Sequence, residues 1–454
     1  MKIRGKTRAE VREAVAGGDV TISVYGLGKI GLPVAAVFAS RGARVIGVDV
    51  NQDVVEKVNS GENPIPEEPG LGELLSKTVE LGRLSATVNG IEAAASSDVM
   101  IVCVPTLVNE LGVLNDVPLR DAFKSIAKGL KRDDVVIVES TMPPGATEKQ
   151  ASVLEALSGL KTGVDFGVAH APERVMTGSA IADMTVKYPK IVGASDPATL
   201  EAVAGLYEAI NRRGVVTVSS IRAAEAVKVF EGVYRDVNIA LANELAAYAE
   251  ANGLDVMEII SAANTQPYCH IHRPGAGVGG HCIPVYPYFL ISTAAKQGLE
   301  MRLVWTARKI NEAMPGRIVC MTIKALNIAG RPVKGAKILV LGLTYRPGVR
   351  EYRNSPAKPI IDRLKALGAR VYAYDPVSKP EDYRIFGVVE SKDFRDADAV
   401  VIVTDHDEFR RLDLDVLAKE MRTKVIVDGR RVLNPVEAVK RGFTYLGVGY
   451  SPSP

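Results

Sequence analysis

The sequence predicts an α/β protein: two doubly wound parallel-sheet domains joined by a central helical region with one long helix. Three observations predict it. From Thr21 onward, short β-rich runs alternate with helical stretches, which is the pattern of a parallel sheet with crossover helices. Residues 222–252 are alanine-rich, proline-free and helical in period, and at roughly 1.5 Å per residue such a helix is about 45 Å long. A second strand–helix alternation starts at Lys337.

In chain order, Thr21 to Tyr25 reads as a strand, Gly26-Leu27-Gly28-Lys29-Ile30-Gly31 as a glycine turn, Leu32 to Ser40 as a helix, and Ala43 to Val48 as a second strand ending at Asp49. Val99 to Val104, Val135 to Val138 and Val164 to Ala169 are further buried-strand candidates. In the second alternation, Ile338 to Leu341, Arg370 to Tyr374, Ala399 to Val403 and Lys424 to Val427 read as strands. The last three end at Asp375, Thr404-Asp405 and Asp428, and polar residues just past strand ends are where such folds bind ligands. The expected division is 1–210, a Rossmann-like dinucleotide-binding domain; 211–325, a central helical region; and 326–454, a second Rossmann-like domain.

Composition excludes several classes. With 56 Lys and Arg against 53 Asp and Glu, the net charge of +3 gives no basis for nucleic-acid binding. The first twenty residues carry charges throughout and no later run approaches the roughly 18 apolar residues of a membrane span, so a cytoplasmic location and no membrane partner are expected. Four scattered cysteines, Cys103, Cys269, Cys282 and Cys320, make no disulfide framework for a chain of 454 residues.

The glycine turn has the context of a dinucleotide site, because it follows a strand, opens a helix and is followed by Asp49, 21 residues after Gly28. Gly26, Gly28 and Gly31 let backbone amides approach a pyrophosphate, and Asp49 accepts both ribose hydroxyls. Val50 and Asn51 supply no positive charge for a 2′-phosphate, so NAD is expected rather than NADP.

Cys282 lies in Gly277-Val278-Gly279-Gly280-His281-Cys282-Ile283-Pro284. Free cysteine is usually a small buried hydrophobe, yet counting Gly275, four glycines stand within the preceding eight residues, which signals close backbone approach. A nicotinamide dehydrogenase needs no thiol to oxidise an alcohol, so a framed cysteine points one oxidation level further, through a thioester. Cys269, His270, His272, His281 and Cys282 also raise zinc as an alternative, but their spacing fits none of the usual ligand pairs and no metal is assigned.

The cysteine segment, Glu139-Ser140-Thr141, Ala171-Pro172-Glu173-Arg174, Lys228 with the later Tyr234 to Ala240 stretch, Gly342-Leu343-Thr344-Tyr345-Arg346-Pro347 and Asp428-Gly429-Arg430 together resemble the UDP-glucose/GDP-mannose dehydrogenase family. The His-Cys-Ile-Pro form is most similar to its branch acting on UDP-N-acetylhexosamines. The resemblance implies NAD-dependent four-electron oxidation of C6 of a UDP-sugar to the uronate, with the mannosamine epimer favoured, and homodimers or higher homo-oligomers formed through the central helices. It implies Cys282 as nucleophile, Glu173 with Thr141 assisting the hydrolytic water, and Lys228 stabilising oxyanions. Ile30, Thr106 and Thr141 join the cofactor contacts. Glu173, Arg174, Lys228, Arg235, Asn238, Gly279, Arg346 and Arg430 are the expected substrate contacts, the two last because guanidinium pairs with phosphate.

Three positions depart from the family: Gly232 where asparagine is usual, Tyr286 where aspartate is usual, and Tyr268 where the hexosamine branch tends to carry arginine. A mid-helix glycine is unfavourable by roughly 1 kcal/mol relative to alanine, and a phenol is neutral at pH 7 and cannot replace a carboxylate. UDP-glucose oxidation and a catalytically degenerate nucleotide-sugar-binding protein therefore stay open beside the main reading.

Overall fold

The computed structural model describes residues 1–108, 114–176 and 178–450. The chain forms two compact units, Met1–Glu231 and Gly232–Pro454. The division falls inside the helix Ile221–Ala251, the long helix expected from the sequence.

The first unit is built on an eight-stranded sheet of Thr21–Tyr25 (β1), Arg44–Val48 (β2), Leu84–Thr87 (β3), Val99–Val102 (β4), Val135–Val138 (β5), Gly167–His170 (β6), Lys190–Ala194 (β7) and Val215–Thr217 (β8). Their order is β8-β7-β6-β5-β4-β1-β2-β3, and every neighbouring pair is parallel except β6 and β7. Strands β4, β5 and β6 are buried at all four positions, which is why β4 and β5 read as continuous apolar runs without alternation, while β6 buries His170 as well. Successive residues enter opposite layers. Val99 and Ile101 pack in one core, Met100 and Val102 in the other. Strand order reverses between β1 and β4, so the carboxyl ends of these two strands border the crevice where doubly wound sheets bind ligands.

The second unit holds a six-stranded, all-parallel sheet of Lys337–Leu341 (β9), Arg370–Tyr374 (β10), Val389–Glu390 (β11), Ala399–Ile402 (β12), Val425–Asp428 (β13) and Thr444–Gly447 (β14), ordered β11-β10-β9-β12-β13-β14. Its remaining long element is the helix Arg302–Ile328. This one is hidden in the sequence by Pro315 and Gly316, which read as a helix stop; both stay within it. The two long helices are tied by a buried charge: Arg308 Nη1 donates to Asp236 Oδ1 at 2.8 Å, and Asn311 Nδ2 donates to the same oxygen at 2.8 Å.

One expected strand is displaced. Instead of Val164 to Ala169 the strand is Gly167–His170, because Gly163 at φ +78° begins a turn in which its amide meets the Phe166 carbonyl. Val104 and Val403 also fall outside their strands, β4 and β12 ending at Val102 and Ile402 as the chain peels away.

Candidate functional site

The glycine turn in the first unit has room for a ligand and for little else. Gly26 has φ +93°, and a Cβ there would lie 2.8 Å from the Cys103 carbonyl oxygen. A Cβ on Gly31 would lie 1.8 Å from the Gly26 carbonyl, so this position admits only glycine. Around Gly28, by contrast, nothing stands within 4 Å of a built Cβ. The helix Gly31–Ser40 that follows has Ile30 at its N-cap, with no side chain capping the first amides, which leaves donors for an anion. Asp49 is half-buried at the end of β2; its Oδ2 accepts from the Leu27 amide at 2.8 Å and its Oδ1 from the Asn51 amide at 2.9 Å. Each oxygen retains a lone pair, so the carboxylate is aimed by backbone yet can still take a ribose diol. These groups fit NAD. Thr106 and Thr141 are half-buried in the segments after β4 and β5, where the crevice opens.

Glu173, after β6, is 9% exposed. Its Oε1 accepts from the Arg174 amide at 2.6 Å and the Val175 amide at 2.9 Å, and its Oε2 from Lys190 Nζ at 2.7 Å. Burial raises its pKa, but the Lys190 charge and hydrogen bond, with the Arg174 amide and the Lys228 charge, overcome this and hold it below the usual carboxylate range. Lys228 is half-buried on the long helix and acts on Glu173 through its charge. Arg174 pairs with Glu231 at 2.7 Å, donates to the Pro189 carbonyl and covers the Tyr188 ring, so in this unit it supports the Glu173 segment.

In the second unit the thiol segment is clamped on several sides. Gly280 donates to the Arg353 carbonyl at 2.9 Å, and Asn354 Nδ2 donates back to the Gly280 carbonyl at 2.9 Å. A Cβ on Gly279 would lie 2.6 Å from the Tyr345 Cβ, which explains the glycine. Asn243 of the long helix accepts the Gly275 amide at 3.0 Å, and Arg430 donates to the carbonyls of Val403 and, at 3.3 Å, Gly277. Arg430 therefore braces the thiol segment, its guanidinium pKa lowered by burial. His281 is fixed from both nitrogens: Arg353 Nη1 stands 3.0 Å from Nδ1, and Glu351 Oε2 stands 2.9 Å from Nε2. Since arginine only donates, Nδ1 accepts and the proton sits on Nε2. Cys282 itself is exposed. Among the described residues no three His, Cys, Asp or Glu are grouped as metal ligands would be.

The departures at Gly232 and Tyr286 turn out to be one feature. A Cβ on Gly232 would lie 2.4 Å from Tyr286 Cδ2 and 3.1 Å from its Cβ, so the tyrosine ring occupies the space of the missing side chain. Tyr286 is 6% exposed and stacks on Phe289 at 6.1 Å. Tyr268 is 88% exposed. Asn238 is committed to structure: it donates to the His270 carbonyl at 2.7 Å and accepts the His272 amide at 2.8 Å. Arg235 is exposed on the same helix, and Arg346 lies half-buried over the Tyr345 ring at 5.9 Å.

Sequence reasoning did not single out Lys190, Tyr207, Tyr345, Glu351 or Arg353. A lysine at the start of a strand reads as a solvated edge, and only the crossing of β6, β7 and the helix Pro197–Glu208 buries Lys190.

A dinucleotide cradle on one doubly wound sheet, a second sheet of the same strand order and a glycine-framed thiol define an NAD-dependent dehydrogenase of nucleotide sugars. Models of three domains match: the NAD binding domain over residues 20–211, the central domain over 222–313 and the UDP binding domain over 339–435, all of the UDP-glucose/GDP-mannose dehydrogenase family. The chain belongs to that family and is an oxidoreductase. It is similar to the UDP-N-acetyl-D-mannosamine dehydrogenase of Pyrococcus horikoshii, with 41% identity over 94% of this chain and 99% of the relative. A solved structure of a UDP-D-ManNAc dehydrogenase from Pyrococcus horikoshii superposes with a TM-score of 0.87 at 39% identity, covering 94% of this chain and 99% of the other. The NDP-N-acetyl-D-galactosaminuronic acid dehydrogenase of Ralstonia nicotianae is 38% identical over 90% of this chain and 95% of its own. Among the described residues no helix is long and apolar enough to cross a membrane.

Proposed function

We propose that this enzyme oxidises C6 of a UDP-N-acetylhexosamine, UDP-N-acetyl-D-mannosamine first among them, to the uronate through a thioester on Cys282. The observation that carries the reading is an exposed thiol on a segment whose neighbours are all held. The sugar assignment rests on the relatives with N-acetylated substrates and on the His281-Cys282 pair.

Gly26, Gly28, Ile30, Gly31, Asp49, Thr106 and Thr141 would hold NAD, which would supply hydride acceptance, twice per sugar. In this reading the Cys282 sulfur adds to the C6 aldehyde, and Lys228 stabilises the oxyanion. After the second oxidation, water attacks the thioester carbon and gives a proton to Glu173, assisted by Thr141; the C–S bond breaks and the thiol is restored. One CH₂OH, two NAD⁺ and one water yield one carboxylate, two NADH and three protons. Residues 1–210 hold the cofactor, 211–325 the thiol and oligomer contacts, and 326–454 the UDP moiety, with Arg346 its leading contact. Arg174, Arg235, Asn238, Gly279 and Arg430 act on the substrate chiefly by shaping the segments that meet it. Homodimerisation is read from the long helix, where Tyr234, Leu241 and Tyr248 recur every seven residues at 53%, 47% and 65% exposure.

Purified protein incubated with NAD and a panel of UDP-sugars is expected to form two NADH per sugar, with higher kcat/KM for the N-acetylhexosamines than for UDP-glucose. Cys282→Ala is expected to stop acid formation and leave NAD affinity intact; undiminished acid from that variant rules the thioester out.

A further inference from the structure

Beneath Glu173 the first unit buries two carboxyl groups around one ammonium. Lys190 Nζ lies 2.7 Å from Glu173 Oε2 and 3.3 Å from Glu139 Oε2, with the three side chains between 0% and 8% exposed. Tyr207 from the helix Pro197–Glu208 donates to Glu139 Oε1, and the Lys190 ammonium sits 4.9 Å over the tyrosine ring. Two carboxylates against one ammonium would leave a net negative charge on buried side chains, whereas one retained proton makes the three groups neutral together.

The donors decide which carboxyl keeps it. Glu173 accepts three hydrogen bonds, from the amides of Arg174 and Val175 and from Lys190, so its oxygens are engaged as acceptors. Glu139 Oε2 has no hydrogen-bond partner among the described residues, although it is fully buried. Its contact with Lys190 is the longer of the two, 3.3 Å against 2.7 Å for Glu173, and a proton on Glu139 is one that the Glu173 carboxylate can accept.

We propose that Glu139 is a positioning residue for Glu173: it holds one shared proton over Lys190, so that Glu173 stays ionised and available as the base of the hydrolytic step. The inference rests on the reading of Glu173 given above. Burial and the Glu173 carboxylate push the Glu139 pKa up to about 7 against the pull of Lys190, which keeps its own charge because the carboxylates outweigh its burial. The other titratable groups facing the cluster are Cys103 from the segment after β4, His170 at the end of β6, held neutral with its pKa lowered to about 3, and Lys228 from the long helix. Burial keeps the Cys103 thiol protonated and the His170 ring neutral. Ionisation of Glu139 then places a second negative charge beside Glu173 and makes it more basic.

Two measurements on the full-length protein test this. Difference infrared titration is expected to show a neutral carboxyl at pH 6 that is lost in Glu139→Gln, and lost also in Glu173→Gln, where the Glu139 carboxylate alone balances Lys190. A wild-type protein without it, or a signal that survives Glu139→Gln and vanishes in Glu173→Gln, overturns the proposal. In NADH assays with UDP-N-acetylmannosamine, Glu139→Gln is expected to remove a kcat inflection near neutrality while KM changes by less than about threefold, and Lys190→Met to shift the profile to higher pH, losing about tenfold in rate per pH unit below the new pKa. Lys190→Arg is expected to restore the wild-type profile. An unchanged inflection in Glu139→Gln also overturns the proposal. If instead Glu173→Gln makes acid at the wild-type rate, the role of Glu173 as base fails while the infrared result still reports whether the carboxyl pair keeps a proton.

Discussion

The two sheets repeat one local design and differ in what they leave open. In each, the first strand runs into a glycine at positive φ, Gly26 at +93° and Gly342 at +97°, whose amide bonds to the end of the second strand, Val48 at 2.7 Å and Tyr374 at 2.8 Å. In each, an aspartate just past that second strand accepts the next amide: Asp49 from Leu27 at 2.8 Å, Asp375 from Leu343 at 2.7 Å. There the likeness ends. Asp49 remains half-buried with two backbone donors, whereas Asp375 is 1% exposed, and its Oδ2 also receives the Thr344 amide, the Thr344 hydroxyl and His406 Nε2 at 3.1 Å. The loop after the fourth strand makes the difference, placing Cys103-Val104-Pro105 in one sheet and Thr404-Asp405-His406 in the other. The same carboxylate keeps lone pairs open where its neighbours leave them free, and is a structural pin where they fill them.

The largest effect expected from breaking this contrast is on Asp375. Its removal leaves His406 and the Thr344 donors buried without their acceptor, and Asp375→Ala is expected to lower the stability of the second unit by about 3–5 kcal/mol while NAD affinity is unchanged. Urea unfolding and NAD titration of the same sample check both halves. Asp49→Ala is expected to do the reverse: NAD affinity falls about 10- to 100-fold, as for loss of charged hydrogen bonds of about 1.5–3 kcal/mol, with little change in unfolding. Equal losses of stability in the two variants would erase the distinction.

Acid sharpens it further. Burial raises the Asp375 pKa, but His406 and the backbone amides overcome this and lower it from 3.8 to about 2. A depressed carboxylate adds stability above its unfolded pKa and loses it as pH falls through the folded one, so this unit is expected to lose about 2 kcal/mol between pH 3.8 and 2. His406→Ala is expected to move that acid transition, followed by circular dichroism, to higher pH.

The smallest expected effect applies the same rule to Gly232. Alanine there gains about 1 kcal/mol in helix propensity, but its Cβ meets the Tyr286 ring and overpacking costs about 1–3 kcal/mol. Gly232→Ala is therefore expected to be mildly destabilising alone and stabilising in a Tyr286→Ala background, a sign change that thermal unfolding detects. For the same reason Gly232→Asn with Tyr286→Asp is expected to exceed either single replacement in NADH formation.

By itself the sequence determined the two doubly wound sheets, the long helix and the glycine turn. Buried parallel strands show as apolar runs such as Val135–Val138, the spacing of Gly26, Gly28, Gly31 and Asp49 is set by one strand–turn–helix–strand unit, and both signals are local. The displaced strand at Gly167 and the helix carried through Pro315 were hidden because turn bonding and packing overrode local preference. Tertiary structure alone decided which polar groups share a burial site. Lys190 reads as a strand-edge charge until it lies beside Glu139 and Glu173, Arg430 also grips the Gly277 carbonyl, and the Tyr286 ring fills the space beside Gly232. Residues 54 positions apart in the chain, as these last two are, carry no shared periodicity; only close packing, in which a single methyl group has nowhere to go, joins them.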